Sequence, residues 1–314
     1  MLKVLKKTLC GRHVIWAGLI FVFLLFIKNP VNTADLVTKG LELCYRSLIP
    51  AIFPFAVLGA LLCSAEAPRF ITDGISRLFG ISKTGAMTVI SGYLSGFPVG
   101  AVCVARMYKQ GKIAKSEAEK LICYINNPSA PFVIGVVGKG LLNSTGSGIL
   151  IYVILIAFSV IVGILLRSYS KTLPVLSNEC ADLSDNDFSF SQAVKDGALS
   201  MVSICGSVVT FSVISGYLSM LTMPLGESFN ALLCGFLEIS NGISFLALSV
   251  VPETGKFILA GVICAFSGLS VHVQISSALR GSGIDMKLYL TVRIISTVAV
   301  AVICALISFL GVSL

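Results

Sequence analysis

The sequence has little charge for its length. Only 12% of its 314 residues are charged, against about 25% in an average soluble domain. By contrast, 56% are apolar, and the mean hydropathy is +0.95. So few charges cannot cover the surface of a water-soluble globule of this size. The composition excludes a cytosolic enzyme, a disordered regulator and a secreted disulfide scaffold. It predicts an all-α polytopic membrane protein.

Residues and motifs typical of metal sites and enzymes are also scarce. The chain has two His, and none of its ten Cys forms a CxxC pair, so no metal site is predicted. Most of the Cys lie in apolar runs, where a free thiol acts as a small hydrophobe. Because no HExxH and no GxxxxGK[ST] pattern occurs, we expect neither enzymatic activity nor a bound cofactor.

The net charge of +8 comes from an excess of Lys and Arg, and in a membrane protein the positions of these residues indicate the topology. Cytoplasmic loops of membrane proteins collect Lys and Arg, whereas a nucleic-acid partner would favour basic stretches interleaved with aromatic residues, which are absent from the sequence. We therefore use the Lys and Arg to assign the sides of the membrane and expect no nucleic acid as a partner.

The apolar runs predict seven membrane spans, at 14–27, 47–63, 122–142, 149–166, 197–221, 257–279 and 288–314. Two further stretches, 85–107 and 228–251, are interrupted by turn-forming residues and either cross the membrane or enter and return. If they cross, Lys and Arg divide about evenly between the two sides. If they return, 18 of the 23 Lys and Arg lie on one side. The positive-inside rule thus favours two re-entrant hairpins and a cytoplasmic N-terminus.

This threading divides the chain into four parts. Residues 1–46 are predicted to form a signal-anchor helix and an interfacial helix, and residues 167–196 a cytoplasmic linker. Residues 47–166 and 197–314 each comprise a span, a hairpin, a broken span and a span. The two hairpins enter from opposite sides. Two such units form an inverted-topology repeat, an architecture of secondary transporters.

Each repeat contributes one hairpin tip and one broken span, and we expect all four to meet near the membrane midplane. The tips are predicted near Gly96–Pro98 and Ser240–Gly242. Non-helical backbone at membrane depth is tolerated only where protein buries it or where it lines a wet cavity. The sequence therefore predicts a cavity for a small polar solute. The candidate substrate-binding residues are Ser95, Gly96, Phe97, Pro98, Asn126, Asn127, Pro128, Ser129, Glu238, Ser240, Asn241, Ser267, Ser270 and His272.

An alternative is that the Asn and Ser side chains only join helices and that the Pro residues only bend them. Glu238 argues against this alternative, because an intramembrane carboxylate is costly and marks a functional site by default. It is predicted to contact the solute or a coupling H⁺ or Na⁺, although a structural carboxylate bonded to a neighbouring tip is the other option. His272 either joins it in a proton relay or packs in the core. Arg293 is expected to extend its side chain to the cytoplasmic face.

Several motifs resemble a known family, the Gate-domain (nucleoside recognition) membrane proteins. They read GFPVGA at 96–101, MYKQGKI at 107–113 and NNPSAPF at 126–132, with LIPAIFPF at 48–55 in agreement. The family includes concentrative nucleoside transporters, whose hairpin tips and unwound helices bind a nucleoside and a coupling ion. The resemblance implies the same role for residues 95–98, 126–129, 238–241 and 267–272.

One position departs from the family pattern. The transporters place Gln and Glu at the first tip, where this chain has Phe97 and Pro98. The resemblance therefore implies a small polar solute, with a nucleoside-like molecule as one option.

Within the family the chain looks closest to a sporulation integral membrane protein. This implies a multi-pass protein of a bacterial inner membrane with a role in sporulation. The leading hypothesis is a secondary-transporter-like protein that binds or translocates the solute, and the alternative is a non-transporting assembly factor for the spore coat or cortex. Glu238 favours the first, and the missing carboxylate at the first tip favours the second. The oligomeric state is left open, with a homo-oligomer as one option.

Overall fold

The computed structural model describes residues 13, 16–18, 20, 22–64, 68–168 and 190–310. Every regular element in these residues is helical, which confirms the predicted all-α class. The α-helices are α1 (Trp16–Lys28), α2 (Pro30–Leu43), α3 (Ile49–Ser64), α4 (Arg69–Phe79), α5 (Lys83–Ser95), α6 (Val99–Lys109), α7 (Lys115–Ile125), α8 (Thr145–Arg167), α9 (Phe190–Thr222), α10 (Glu227–Leu237), α11 (Ile239–Ala247), α12 (Glu253–Phe266), α13 (Gly268–Ala278) and α14 (Lys287–Phe309). A π-helical turn, Cys44–Leu48, joins α2 to α3, and a π-helical segment, Pro131–Leu141, precedes α8.

Five helical segments of the described chain are long and apolar enough to cross a membrane: Pro30–Cys63, Thr145–Arg167, Phe190–Leu225, Glu253–Ala278 and Lys287–Phe309. Two shorter apolar helices, Trp16–Lys28 and Pro131–Leu141, accompany them. Large apolar side chains on α8, α9 and α14 are exposed, such as Leu165, Leu199 and Phe309. Continuous exposed apolar surface of this kind fits contact with lipid. The protein is thus a multi-pass membrane protein, while the count of seven spans stays a prediction.

Several predicted boundaries differ from the structure. Residues 34–46, predicted as an interfacial helix, belong to the continuous helical segment Pro30–Cys63. The π-helical turn directly before Pro50 lets the helix continue past a residue without an N–H donor. The second repeat was predicted to begin at residue 197, but α9 already begins at Phe190. Residues 169–189 of the predicted linker, like residues 1–12, lie outside the described residues.

Two helical hairpins turn back inside the molecule. Helices α5 and α6 pack against each other and join through Gly96–Pro98, while α10 and α11 join at Glu238. The four helices contain 13, 11, 11 and 9 residues. At 1.5 Å per residue each is about 14–20 Å long, or roughly half the thickness of a bilayer core.

The first hairpin starts and finishes beside the basic loops. At its start, the Ser82 backbone N–H donates to Glu117 Oε1 over 2.8 Å. At its finish, Lys109 Nζ donates to the carbonyl of Arg280 over 3.5 Å. These bonds place both ends of the α5–α6 hairpin at the end of the bundle where the α6–α7 and α13–α14 loops lie.

The second hairpin starts and finishes at the opposite end. The Val250 N–H donates to Glu227 Oε2 over 2.6 Å, which closes the base of the α10–α11 hairpin. Helix α9, with 33 residues, leads from one end to the other, because its first turns border Lys109 and its last residue precedes α10. The two hairpins therefore point toward each other from opposite ends.

Candidate functional site

The tip of the first hairpin docks onto the interruption that follows α7. Gly96 has φ +71°, a conformation that side chains rarely adopt. A Cβ atom there would also lie 2.7 Å from the backbone nitrogen of Ser129 and 2.8 Å from the carbonyl oxygen of Asn127. The Phe97 N–H donates to that carbonyl over 3.1 Å. The tip is thus held by backbone contacts that require glycine.

The interruption at residues 126–129 is stabilised by its own two Asn side chains. Asn126 Nδ2 donates to the Ile122 carbonyl over 2.8 Å, and Asn127 Nδ2 donates to the Tyr124 carbonyl over 2.8 Å. These carbonyls lie in the last turn of α7 and have no partner further along the helix. Asn127 Nδ2 also bonds to Ser159 Oγ over 2.9 Å. Both amide nitrogens are therefore occupied by hydrogen bonds to the end of α7, and Pro128 is buried.

Arg293 connects this interruption to the one in the second half of the chain. Its side chain is 3% exposed, its Nη1 donates to the Ala265 carbonyl over 3.1 Å, and its Nη2 donates to the Asn126 carbonyl. Both carbonyls lie at helix C-termini, which carry partial negative charge. The prediction that Arg293 reaches the cytoplasmic face is wrong, since these carbonyls provide it with acceptors inside the protein.

The tip of the second hairpin consists of Glu238 alone. The residue is extended, with φ −150° and ψ 124°, and its Oε2 accepts a hydrogen bond from the Asn241 N–H over 2.8 Å. It therefore caps the N-terminus of α11, where free N–H groups and the helix dipole favour a carboxylate. The tip thus lies at Glu238, at the start of the range 238–241 that the resemblance implies, while Ser240–Gly242 belong to the first turn of α11 that Glu238 caps.

The second tip packs against the break between α12 and α13. Ser267 and Gly268 have φ values of +72° and +76°. The Ser267 hydroxyl donates a hydrogen bond to the Cys264 carbonyl over 3.1 Å. A Cβ atom on Gly268 would lie 3.2 Å from the Glu238 Cα. The break is confined to these two residues rather than extending over 267–272, because the helix resumes at once with Ser270 and His272 inside α13.

Residues from both tips, from the first interruption and from helix α13 line one small cavity. Its polar lining consists of Ser129, Glu238, Ser240, Ser270 and Gln274, and Phe97 contributes an aromatic wall. Its volume is about 20 Å³. One water needs roughly 10–15 Å³, so the cavity has room for only about one or two waters. Glu238 is 2% exposed and is the carboxylate of this cavity.

Other candidate residues lie away from this cavity. Asn241 joins α11 to α9, since its Oδ1 accepts from Ser212 Oγ over 2.8 Å. His272 Nδ1 bonds to the Tyr289 hydroxyl over 2.8 Å, and its ring packs edge-on against Phe266. The hydroxyl of Ser95, which lies against Gly59, has no hydrogen-bond partner among the described residues.

Two side chains that the sequence reasoning left out of the site are Arg293 and Gln274. An arginine inside an apolar span was a visible signal for the first, since such charges usually face the protein interior. Gln274 gave no comparable signal, because an uncharged amide in an apolar helix fits an interhelical contact equally well. It lines the cavity with only 6% of its surface exposed.

No family model and no solved structure matches the chain. Among curated proteins it is similar to the sporulation integral membrane protein YlbJ of Bacillus subtilis (strain 168). The identity is 25%, and the alignment covers 90% of this chain and 79% of that protein. The similarity therefore extends over most of the molecule, including both hairpins. The resemblance to the Gate-domain family stays a prediction.

Proposed function

We propose that the protein is a sporulation membrane protein with a secondary-transporter-like fold that binds and translocates a small polar solute. The observation that carries the proposal is the convergence of two hairpin tips and the first helix interruption on one cavity that contains Glu238, with the second interruption packed against the Glu238 tip. Interrupted helices at such a depth are typical of solute and ion sites in secondary transporters. The similarity to YlbJ supports the role in sporulation.

The proposed threading is the one that the basic residues favour. Seven spans and two hairpins form an inverted repeat in a bacterial inner membrane, with a cytoplasmic N-terminus. The ends of the first hairpin lie beside the basic α6–α7 and α13–α14 loops, which supports a cytoplasmic origin for that hairpin. The base of the second hairpin, at Glu227 and Val250, lies at the other end.

Glu238 is the proposed recognition or coupling group. Ligand pockets usually enclose about 300–1,000 Å³, so the cavity must open by movement of the hairpin tips before a solute can enter. When they separate, the carboxylate and the hydroxyls of Ser240 and Ser270 would meet the solute. Coupling to H⁺ or Na⁺ would use the same carboxylate.

Uptake into proteoliposomes tests the proposal. Purified full-length protein is reconstituted, a pooled metabolite mixture is added outside, and the solutes that accumulate are identified by mass spectrometry. We expect wild-type protein to accumulate at least one solute above protein-free liposomes, Glu238→Gln to lose that uptake, and Glu238→Asp to keep part of it. Glu253→Gln is the matched control, because its carboxylate is 70% exposed on the same half of the chain.

The same variants can be tested for complementation in Bacillus subtilis lacking YlbJ. Sporulation that fails with Glu238→Gln at normal protein level supports a chemical role for the carboxylate. Absence of uptake of every solute, together with complementation by both Glu238→Gln and Glu238→Ala, would instead support the non-transporting assembly factor.

A further inference from the structure

A second, larger cavity opens at the end of the molecule that carries the basic loops. It lies between α6, α9 and α13 and has a volume of about 640 Å³. Arg106, Lys109 and Asp196 line its outer part. We call this space the vestibule. Because the proposed threading places these loops in the cytoplasm, the vestibule opens toward the cytoplasm.

The vestibule adjoins the small cavity that contains Glu238, which we call the central cavity. Gln274 on α13 borders both spaces. At the first hairpin tip, Phe97 borders the central cavity, and the adjacent Pro98 borders the vestibule. Helix α9 also borders both spaces, through Ile204 on the central cavity and Ser203 on the vestibule, so Gln274, the first tip and α9 all lie at the boundary between them.

The Gln274 side chain has a free hydrogen-bond acceptor at this boundary. The residue is 6% exposed, and its Oε1 has no hydrogen-bond partner among the described residues. Buried amide oxygens are almost always paired, so an unpaired one calls for a specific reason. Here the oxygen belongs to a side chain that lines two cavities.

We propose that Gln274 closes the passage between the vestibule and the central cavity and accepts a hydrogen bond from an N–H or O–H group of the solute that passes. The solute class is therefore one that carries at least one hydrogen-bond donor. The second part of the proposal, the hydrogen bond from the solute, rests on the proposed transport function. Its first part, the closure of the passage, concerns only the geometry and is tested separately.

Labelling of single cysteines tests the closure. Full-length protein without native Cys is prepared in membrane vesicles of both orientations and treated with a charged, membrane-impermeant methanethiosulfonate. Ser277→Cys reports on the vestibule, where Ser277 is exposed, and Ser240→Cys reports on the central cavity, where Ser240 is 1% exposed. Each is combined with Gln274→Ala or with the control Val273→Ala, whose side chain is 62% exposed outside both cavities.

We expect Ser277→Cys to react from the cytoplasmic side only and Ser240→Cys to react slowly from either side. Gln274→Ala should raise the rate at Ser240→Cys from the cytoplasmic side on the order of tenfold, which corresponds to about 1.4 kcal/mol in the opening equilibrium. Val273→Ala should leave it unchanged. An unchanged rate at Ser240→Cys when Gln274 is Ala would overturn the closure, whereas reaction of Ser277→Cys from outside would overturn the cytoplasmic orientation of the vestibule.

Uptake kinetics test the contact with the solute, using the compound that accumulates in the pooled uptake. Gln274→Leu removes the acceptor at similar size and should raise KM more than it lowers the maximal rate, whereas Gln274→Glu keeps an acceptor oxygen and should restore part of the affinity. An unaltered KM in Gln274→Leu would contradict the contact. If no compound accumulates with wild-type protein, the proposed function fails and the contact with it, while the labelling result still decides the closure.

Discussion

The two hairpin tips meet their interrupted helices in different ways. The first tip contains three residues, Gly96–Pro98, and docks through a backbone hydrogen bond from Phe97 to Asn127. The second tip is a single residue, Glu238, whose carboxylate caps its own helix. The first junction therefore depends on shape and backbone contacts, and the second provides the charged group. The junction that is held by shape and the junction that carries the carboxylate therefore lie in different halves of the chain.

The interruptions differ as well. The one after α7 covers four residues and needs the side chains of Asn126 and Asn127 to cap the helix that ends there. The one after α12 needs only the positive φ angles of Ser267 and Gly268. A longer interruption leaves more backbone groups without helical partners, so it requires more side-chain hydrogen bonds. Arg293 donates to Asn126 in the first interruption and to Ala265 just before the second, and so connects the two regions.

The largest effect on stability is expected from removing the two hydrogen bonds that Arg293 donates. Arg293→Leu leaves the buried carbonyls of Asn126 and Ala265 without this donor, and each costs about 1–3 kcal/mol, so we expect a loss of about 2–6 kcal/mol in unfolding free energy. Unfolding by sodium dodecyl sulfate in detergent micelles measures it. Lys287→Leu on the same helix is the control, because that side chain is 90% exposed. Equal stability of the two variants would show that these hydrogen bonds contribute nothing.

The next prediction compares the two glycines at the junctions. Gly96→Ala combines a strained φ with a Cβ 2.7 Å from the Ser129 nitrogen, whereas the nearest atom to a Cβ on Gly268 is 3.2 Å away. We expect Gly96→Ala to lower the unfolding free energy by about 2–3 kcal/mol and Gly268→Ala by about 1 kcal/mol. The same unfolding assay decides the order. If Gly268→Ala were the more destabilising variant, the second junction would be the tighter one.

A smaller effect is expected from the cap at the first interruption. Asn127→Leu removes hydrogen bonds to Tyr124 and Ser159 and should cost about 1–2 kcal/mol in unfolding free energy. Because the amide caps a helix rather than lining the central cavity, uptake per folded molecule should stay near the wild-type level. Loss of uptake at full stability would instead place Asn127 in the solute path. Thr291→Leu, at an exposed position on α14, serves as the control.

The smallest effect concerns the base of the first hairpin. Asp73 and Lys83 form an ion pair of 2.9 Å at the surface, and the hydrogen bond from Lys83 lowers the pKa of Asp73. A lowered pKa means that the pair stabilises the folded state above the ordinary pKa of Asp and that this contribution is lost as the pH falls through the lowered value. Asp73→Asn should therefore lower the stability of the folded state only slightly, and only at neutral pH. An unfolding midpoint measured at neutral and acidic pH tests this, and a large effect at both would contradict it.

The amino-acid sequence was sufficient to predict the class of the protein and the approximate positions of its helix interruptions. Because the chain has few charged residues, most of its surface is expected to contact lipid. Pro, Gly and Asn also act locally, so the residues at 96–98 and 126–129 disrupt the helix whatever lies around them. Glu238 was recognisable for the same reason, since a carboxylate in an apolar run is a local signal.

Packing between distant parts of the chain determines which of these residues line the central cavity and which only stabilise the helices around it. Arg293 and Asn126 are separated by 167 positions in the chain, and no local pattern shows that one will bond to the other. The faces that α9 and α13 present to the hairpins likewise depend on packing between distant helices. For this reason Asn126 and Asn127 proved to be caps, Gln274 came to border two cavities, and Glu238 took the position between a helix N-terminus and the central cavity.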